Sequence, residues 1–140
     1  MQIIREAVML FAMNSLVKVL LLSVVLDTFL GVLRACKEGK LNSAFGIDGA
    51  IRKVAMITCI AALMLTDVIV HINMLAFVPD EALKVVGLEK VGLCEFFALL
   101  FVVYECISIM KNLYLCGVPV PLKIKNWLEK VLSELTNELD

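Results

Sequence analysis

The stretch "LVKVLLLSVVLDTFLGVL", residues 16–33, decides the fold. Only Lys18 and Asp27 carry charge in it, and its apolar side chains cover every side of a helix instead of one stripe. At ~1.5 Å rise per residue the run approaches the ~30 Å hydrocarbon thickness of a bilayer. Residues 54–77 and 91–110 repeat the pattern. The chain therefore reads as an all-α integral membrane protein with three transmembrane helices. Residues 1–121 form the membrane domain and 122–140 a cytoplasmic tail.

Composition agrees. Of 140 residues, 61% are hydrophobic and 19% charged, and the mean hydropathy is +0.96, outside the range of soluble domains. A soluble bundle of this size cannot cover three all-round apolar helices with polar surface. The net charge of −1 gives no reason to expect a nucleic-acid partner. Five cysteines without a C-x-x-C pair, and the single His71, assemble no zinc-type ligand set, so the thiols read as reduced and no metal or cofactor is expected. The chain lacks H-E-x-x-H, G-x-S-x-G and phosphate-loop motifs, which argues against an enzyme. No small-x-small cleavage site follows the first apolar run, so that run is expected to remain in the mature protein.

Lysines and arginines set the expected orientation. Arg34, Lys37, Lys40, Arg52 and Lys53 lie between spans one and two, and Lys111, Lys123, Lys125 and Lys130 follow span three. The other loop, 78–90, has Lys84 and Lys90 against Asp80, Glu81 and Glu89. The N-terminus is thus expected outside and the C-terminus in the cytoplasm. Between the first two spans, "NSAFGIDGAIRKVAMI" (42–57) reads as a cytoplasmic elbow. Gly39 suits the end of the first helix, Asn42, Ser43 or Asp48 can cap the next, and Gly46 and Gly49 turn the chain. Arg52 and Lys53 then face phosphate headgroups.

After span three, Gly117, Pro119 and Pro121 stop the helix. Ile124, Leu128, Val131 and Leu135, with Trp127, Leu132 and Leu139 nearby, follow helical spacing and predict an amphipathic C-terminal helix. Two placements fit it: on the membrane surface with Trp127 as anchor, or paired with copies of itself. The apolar N-terminal residues 1–14 either extend span one or lie along the outer interface.

The spans contain acids. Asp27 lies in span one, Asp67 in span two, and Glu95 and Glu105 in span three. An ionised Asp at a helix centre costs about 2.5 to 3.5 kcal/mol on insertion scales, so these groups are expected to face protein or water. Ser23, Asp27 and Gly31 are four residues apart and form a small, polar stripe that admits a neighbouring helix. Asp67 and His71, also four apart, are placed to hydrogen-bond, and Glu95, Ala98, Val102 and Glu105 share an arc. Lys18 is expected to snorkel to headgroups. Three helices offer little interior for four carboxyl groups, which points to a homo-oligomer with these residues at assembly or pore-lining positions.

At "LDTFLGVLRACKEGKLNSAFGIDGAIRKVAMI" (26–57) and "EFFALLFVVYECISIMKNLYLCGVPVP" (95–121) the chain resembles the toxin-secretion and phage-lysis holin family. The F-G-I-D-G elbow followed by I-R-K-V-A-M-I is the most specific part. The resemblance implies a protein that accumulates in the cytoplasmic membrane, oligomerises and opens a lesion at a set time. Its partners would be copies of itself, membrane lipids, and an endolysin or a secreted toxin as cargo. A small ion or proton channel and a non-conducting membrane scaffold are the other readings that the residues leave open.

Overall fold

The computed structural model describes residues 1–39, 43–76, 79, 81, 91–119 and 121–137. Its helices are α1 (Gln2–Met13), α2 (Ser15–Glu38), α3 (Ser43–Val70), α4 (Leu93–Cys116) and α5 (Leu122–Asn137). Three of them, α2, the Gly46–Val70 part of α3, and α4, are long and apolar enough to cross a membrane.

The N-terminal residues form a helix of their own. Asn14 leaves the helical region with ψ 123°, and its Oδ1 accepts from the backbone N–H of Leu16 at 2.9 Å and of Val17 at 3.2 Å. That is an N-cap for α2, so α1 ends where α2 begins. α1 then packs against α3, burying Ala7. At the opposite ends of α2 and α4, Gly39 (φ 64°) and Gly117 (φ 90°) adopt the left-handed conformation that suits a glycine C-cap. Beyond Gly117, the Val118 N–H reaches the Leu113 carbonyl at 3.1 Å and closes the last turn.

The second span differs from the expected 54–77. Its helix starts at Ser43, runs straight through Gly46, Asp48, Gly49, Arg52 and Lys53, and stops at Val70. The expected elbow is therefore helix, not hinge. A Cβ on Gly46 or Gly49 would meet nothing within 4 Å, so neither glycine serves a close approach. Helix propensity costs of ~1 kcal/mol per glycine are offset by the surrounding helix formers and tertiary contacts. At the other end, His71 takes a positive φ of 56°. Asn73 Oδ1 then accepts from Leu75 N–H at 3.1 Å and Val91 N–H at 3.4 Å, and Met74 N–H bonds Val91 O at 2.7 Å. Hydropathy alone extends the span through Ile72, Met74 and Leu75, but the Asn73 side chain gives this backbone a non-helical alternative. Expectations placed on Asn42, on Phe77, on the loop charges Asp80, Lys84, Glu89 and Lys90, and on the side chains of Leu128, Val131, Leu132, Leu135 and Leu139 lie outside the described residues.

α2 packs chiefly against α4, and α3 touches both α4 and α1. Among the described residues the buried apolar set is small: Ala7, Val17, Leu20, Val24, Met56, Ile60, Met64, Cys94 and Ala98. Large apolar side chains such as Leu22, Val25, Phe29 and Val54 point outward instead. The buried set also includes Ser23, Asp27, Asp67, Glu105 and Asn112. Apolar outside and partly polar inside is the arrangement a lipid environment favours, because no hydrophobic force drives apolar helices together there.

Candidate functional site

Two polar networks occupy the bundle, separated by an apolar layer. The first joins all three long helices. Lys53 Nζ on α3 donates to Asp27 Oδ2 on α2 at 2.7 Å and to Glu105 Oε2 on α4 at 3.0 Å. The second Asp27 oxygen accepts from Asn112 Nδ2 at 2.8 Å. Asn112 Oδ1 in turn accepts from Arg34 Nη1 at 3.2 Å. Arg34 Nε lies 3.3 Å from Glu38 Oε1, yet it is buried without a hydrogen-bond acceptor; its attraction to Glu38 is Coulombic. The network thus runs inward from the end of α2 to Glu105, which is 1% exposed.

Position along the helices explains why these residues meet. Asp27 lies eleven residues before the end of α2, Lys53 ten after the start of α3, and Glu105 eleven before the end of α4. All three sit at one level, ~15–17 Å from one end of the bundle. Gly31, one turn from Asp27, faces α4, and a Cβ there would make an ordinary contact, 3.7 Å from Asn112 Nδ2, so the helix spacing does not demand a glycine. Ser23, also on the buried stripe, returns its hydroxyl to the Val19 carbonyl at 2.6 Å. Lys53 is therefore a half-buried counter-ion to two buried acids and not a headgroup contact, a correction with a simple physical cause. Two carboxylates in a low-dielectric interior attract an ammonium more strongly than solvated phosphates do. Arg52, one residue earlier, is exposed, with Nη1 3.4 Å from the Tyr104 hydroxyl.

The second network closes the opposite end. Asp67 accepts from Leu93 N–H at 3.0 Å and Cys94 N–H at 2.7 Å, capping the first turn of α4 from a neighbouring helix. Glu95 accepts from Gly92 N–H at 2.8 Å and from Asn14 Nδ2 at 2.6 Å. Negative charge at a helix N-terminus is stabilised by the unpaired amides there. Gly92 is required by this geometry, since an added Cβ would sit 2.5 Å from Asp67 Oδ2. The expected Asp67–His71 side-chain bond is absent from the described residues. α3 ends at Val70, and His71 instead places Nδ1 3.4 Å from the Ile69 carbonyl. A cavity of about 360 Å³ opens beside this network, lined by residues that include Glu6, Asn14, Asp67, His71 and Glu95.

Between the networks lie Leu20, Ile60 and Ala98, each no more than 1% exposed, with Val17 and Met64 beside them. Among the described residues no group of three His, Cys, Asp or Glu side chains could hold a metal ion. Sequence reading missed Asn14, Asn112 and Gly92. Asn14 carried a signal, since Asn directly before an apolar run is a preferred N-cap.

These features define an all-helical, multi-pass membrane protein with charges paired inside its bundle. The bacteriophage holin family matches residues 6–133, through all three candidate spans, and the chain belongs to that family. It is 44% identical over 124 residues to the holin-like protein TcdE of Clostridioides difficile, covering 89% of this chain and 75% of the relative. It is also 33% identical over 111 residues to an uncharacterised protein of Halalkalibacterium halodurans, covering 79% and 73% of the two chains. No solved structure matches the chain.

Proposed function

We propose that the protein is a non-enzymatic holin that accumulates in the bacterial cytoplasmic membrane, self-associates and permits passage of a folded protein. The observation that carries this reading is the holin-family match across all three apolar helices. The geometry adds a mechanism. In a single chain the four intramembrane acids are satisfied: Asp27 and Glu105 by Lys53, Asp67 and Glu95 by amides and Asn14. The Leu20, Ile60 and Ala98 layer separates the two networks. A lone subunit is thus closed, and its acids do not by themselves force assembly. Passage then requires several copies, with the path formed between them. At high density the Asp27, Lys53 and Glu105 side chains can exchange partners between copies or face water.

In this reading the ends carrying Glu38, Ser43 and Cys116 face the cytoplasm, with the N-terminus outside. α5 lies against that surface through its exposed Leu122, Ile124 and Trp127. It is tied to α4 by the bond from the Tyr114 hydroxyl to Glu129 Oε1 at 2.9 Å. Partners are copies of the chain, membrane lipids, and an endolysin or a toxin without an export signal. The pairing of all four intramembrane acids within one chain favours a second reading, a non-conducting membrane scaffold.

Induced expression in a bacterial host, with membrane potential and release of a cytosolic reporter enzyme recorded together, tests the assignment. Reporter release after a delay supports the holin. Depolarisation with the reporter retained supports a small ion or proton channel, and neither change supports the scaffold.

A further inference from the structure

One face of α3 turns away from the rest of the bundle. Contacts with α1 and α4 bury Met56, Ile60, Met64 and Asp67, on the side opposite Ile51, Ala55 and Ala62, which are exposed. A hollow of about 730 Å³ runs along the exposed side, and every residue that lines it, from Ile47 to Ala62, belongs to α3. Three of these, Ala55, Cys59 and Ala62, sit in a longer row. Asp48, Arg52, Ala55, Cys59, Ala62 and Thr66 follow one another at spacings of four, three, four, three and four, the repeat with which a helix meets a parallel copy of itself.

The two charges in that row decide what covers it. Both side chains are exposed, and among the described residues no ion pair includes either of them. Arg52 makes only long contacts to neutral groups, Nε 3.5 Å from the Asp48 carbonyl and Nη1 3.4 Å from the Tyr104 hydroxyl. Its backbone lies at the level of Lys53, ~15 Å from that end of the bundle and ~10 Å inside a hydrocarbon layer ~30 Å thick. A cation exposed at that depth is costly unless an anion reaches it. Lipid does not supply one: phosphates stay at the boundary, and acyl chains fill an apolar hollow without bringing charge. A carboxylate carried by another helix does reach. Asp48 is four residues, ~6 Å, nearer the end of the bundle, and the contact of Nε with the Asp48 carbonyl shows that the Arg52 side chain leans toward that level.

We infer that this face of α3 packs against the same face of α3 in a second copy of the chain, with Asp48 of each copy meeting Arg52 of the other. Copies inserted in one orientation present the row at equal depth, and a two-fold axis along it makes the contact self-complementary. One carboxylate and one guanidinium per chain then neutralise each other twice. Ala55, Cys59 and Ala62 let the two backbones approach, which is what holds helices together in lipid. The contact specifies the self-association proposed above and rests on that reading.

The test is oxidative cross-linking of the full-length protein in membranes of an expressing host, with copper phenanthroline as oxidant. Cys59 lies in the row near the two-fold axis, so the wild type is expected to give a disulfide-linked dimer that Cys59→Ala loses. Cys106, exposed on α4 beside Glu105, faces elsewhere, and Cys106→Ala should retain the dimer. Asp48→Arg and Arg52→Asp each set like charges against one another and should lower its yield roughly tenfold; the exchange of both, Asp48→Arg with Arg52→Asp, should restore it. The inference is overturned if the dimer survives Cys59→Ala or depends on Cys106. Loss in the double exchange equal to that in the single variants, with membrane insertion and helicity unchanged, removes the charge pairing and likewise overturns it. An amine-reactive cross-linker on the same membranes separates this contact from the reading beneath it. Oligomers captured by that reagent without a Cys59 disulfide place the contact on another face and overturn the α3 pairing alone, whereas no oligomer with either reagent overturns self-association as well.

Discussion

Lys53 meets two carboxylates from two different helices, and this pairing compensates both acids inside the bundle. Burying three charges gains little over an apolar core, but removing one partner leaves the others uncompensated, at about 3–5 kcal/mol. Lys53→Met should therefore destabilise the bundle by about that amount, whereas Asp27→Asn, which still accepts from Lys53, should cost less. Denaturant titration of helicity in micelles checks both, and equal midpoints for wild type and Lys53→Met would place the charges in water instead. Gly92→Ala is a second test at this scale. The added methyl displaces the Asp67 carboxylate from the α4 amides, and loss of such a cap costs about 1–2 kcal/mol. The inward facing of Asp27 and Glu105 is legible in the sequence because lipid exposure of an acid is expensive. The partner is not legible, since Lys53 lies 26 and 52 residues away from them and pairing at that range follows no helical period.

The three apolar helices are legible as elements, as are the glycines that end α2 and α4. The path of α3 is not, because local composition and tertiary context disagree there. Glycines, an aspartate and two cations suggest a turn at 46–53, yet the helix continues through them and places Lys53 at the level of Asp27 and Glu105. A bend at Gly46 or Gly49 would lose that register. Straight passage makes a specific prediction. With no neighbour within 4 Å of a Cβ at either glycine, Gly46→Ala and Gly49→Ala should each stabilise α3 by about 0.5–1 kcal/mol, through helix propensity and a less flexible unfolded chain. Thermal unfolding in micelles measures this. A lower midpoint in both variants would restore the hinge and remove the reason for Lys53's alignment.

For the whole molecule the decisive feature is the apolar layer between two polar ends. Polar groups run from Glu38 to Glu105 at one end and surround Asp67 at the other, and Leu20, Ile60 and Ala98 separate them. Water enters a buried site only where polar partners support it, so an apolar layer this well covered blocks a path through one chain. Replacing its central residue tests where permeation occurs. Ile60→Asn puts a donor and an acceptor into the layer, at a folding cost of about 2–5 kcal/mol for the lost apolar packing. If the interior of a single subunit can be wetted, vesicles at low protein density should then conduct protons while retaining a trapped protein. If the path forms only between copies, proton flux at low density stays at the wild-type level, and release of the trapped protein still rises steeply with density. The second outcome is the expected one. Lys53 ties the polar half of α3 to α2 and α4, so a wetted layer alone still leads to paired charges and not to an open channel. Proton conduction that scales linearly with subunit number would overturn that expectation and move the pore inside the chain.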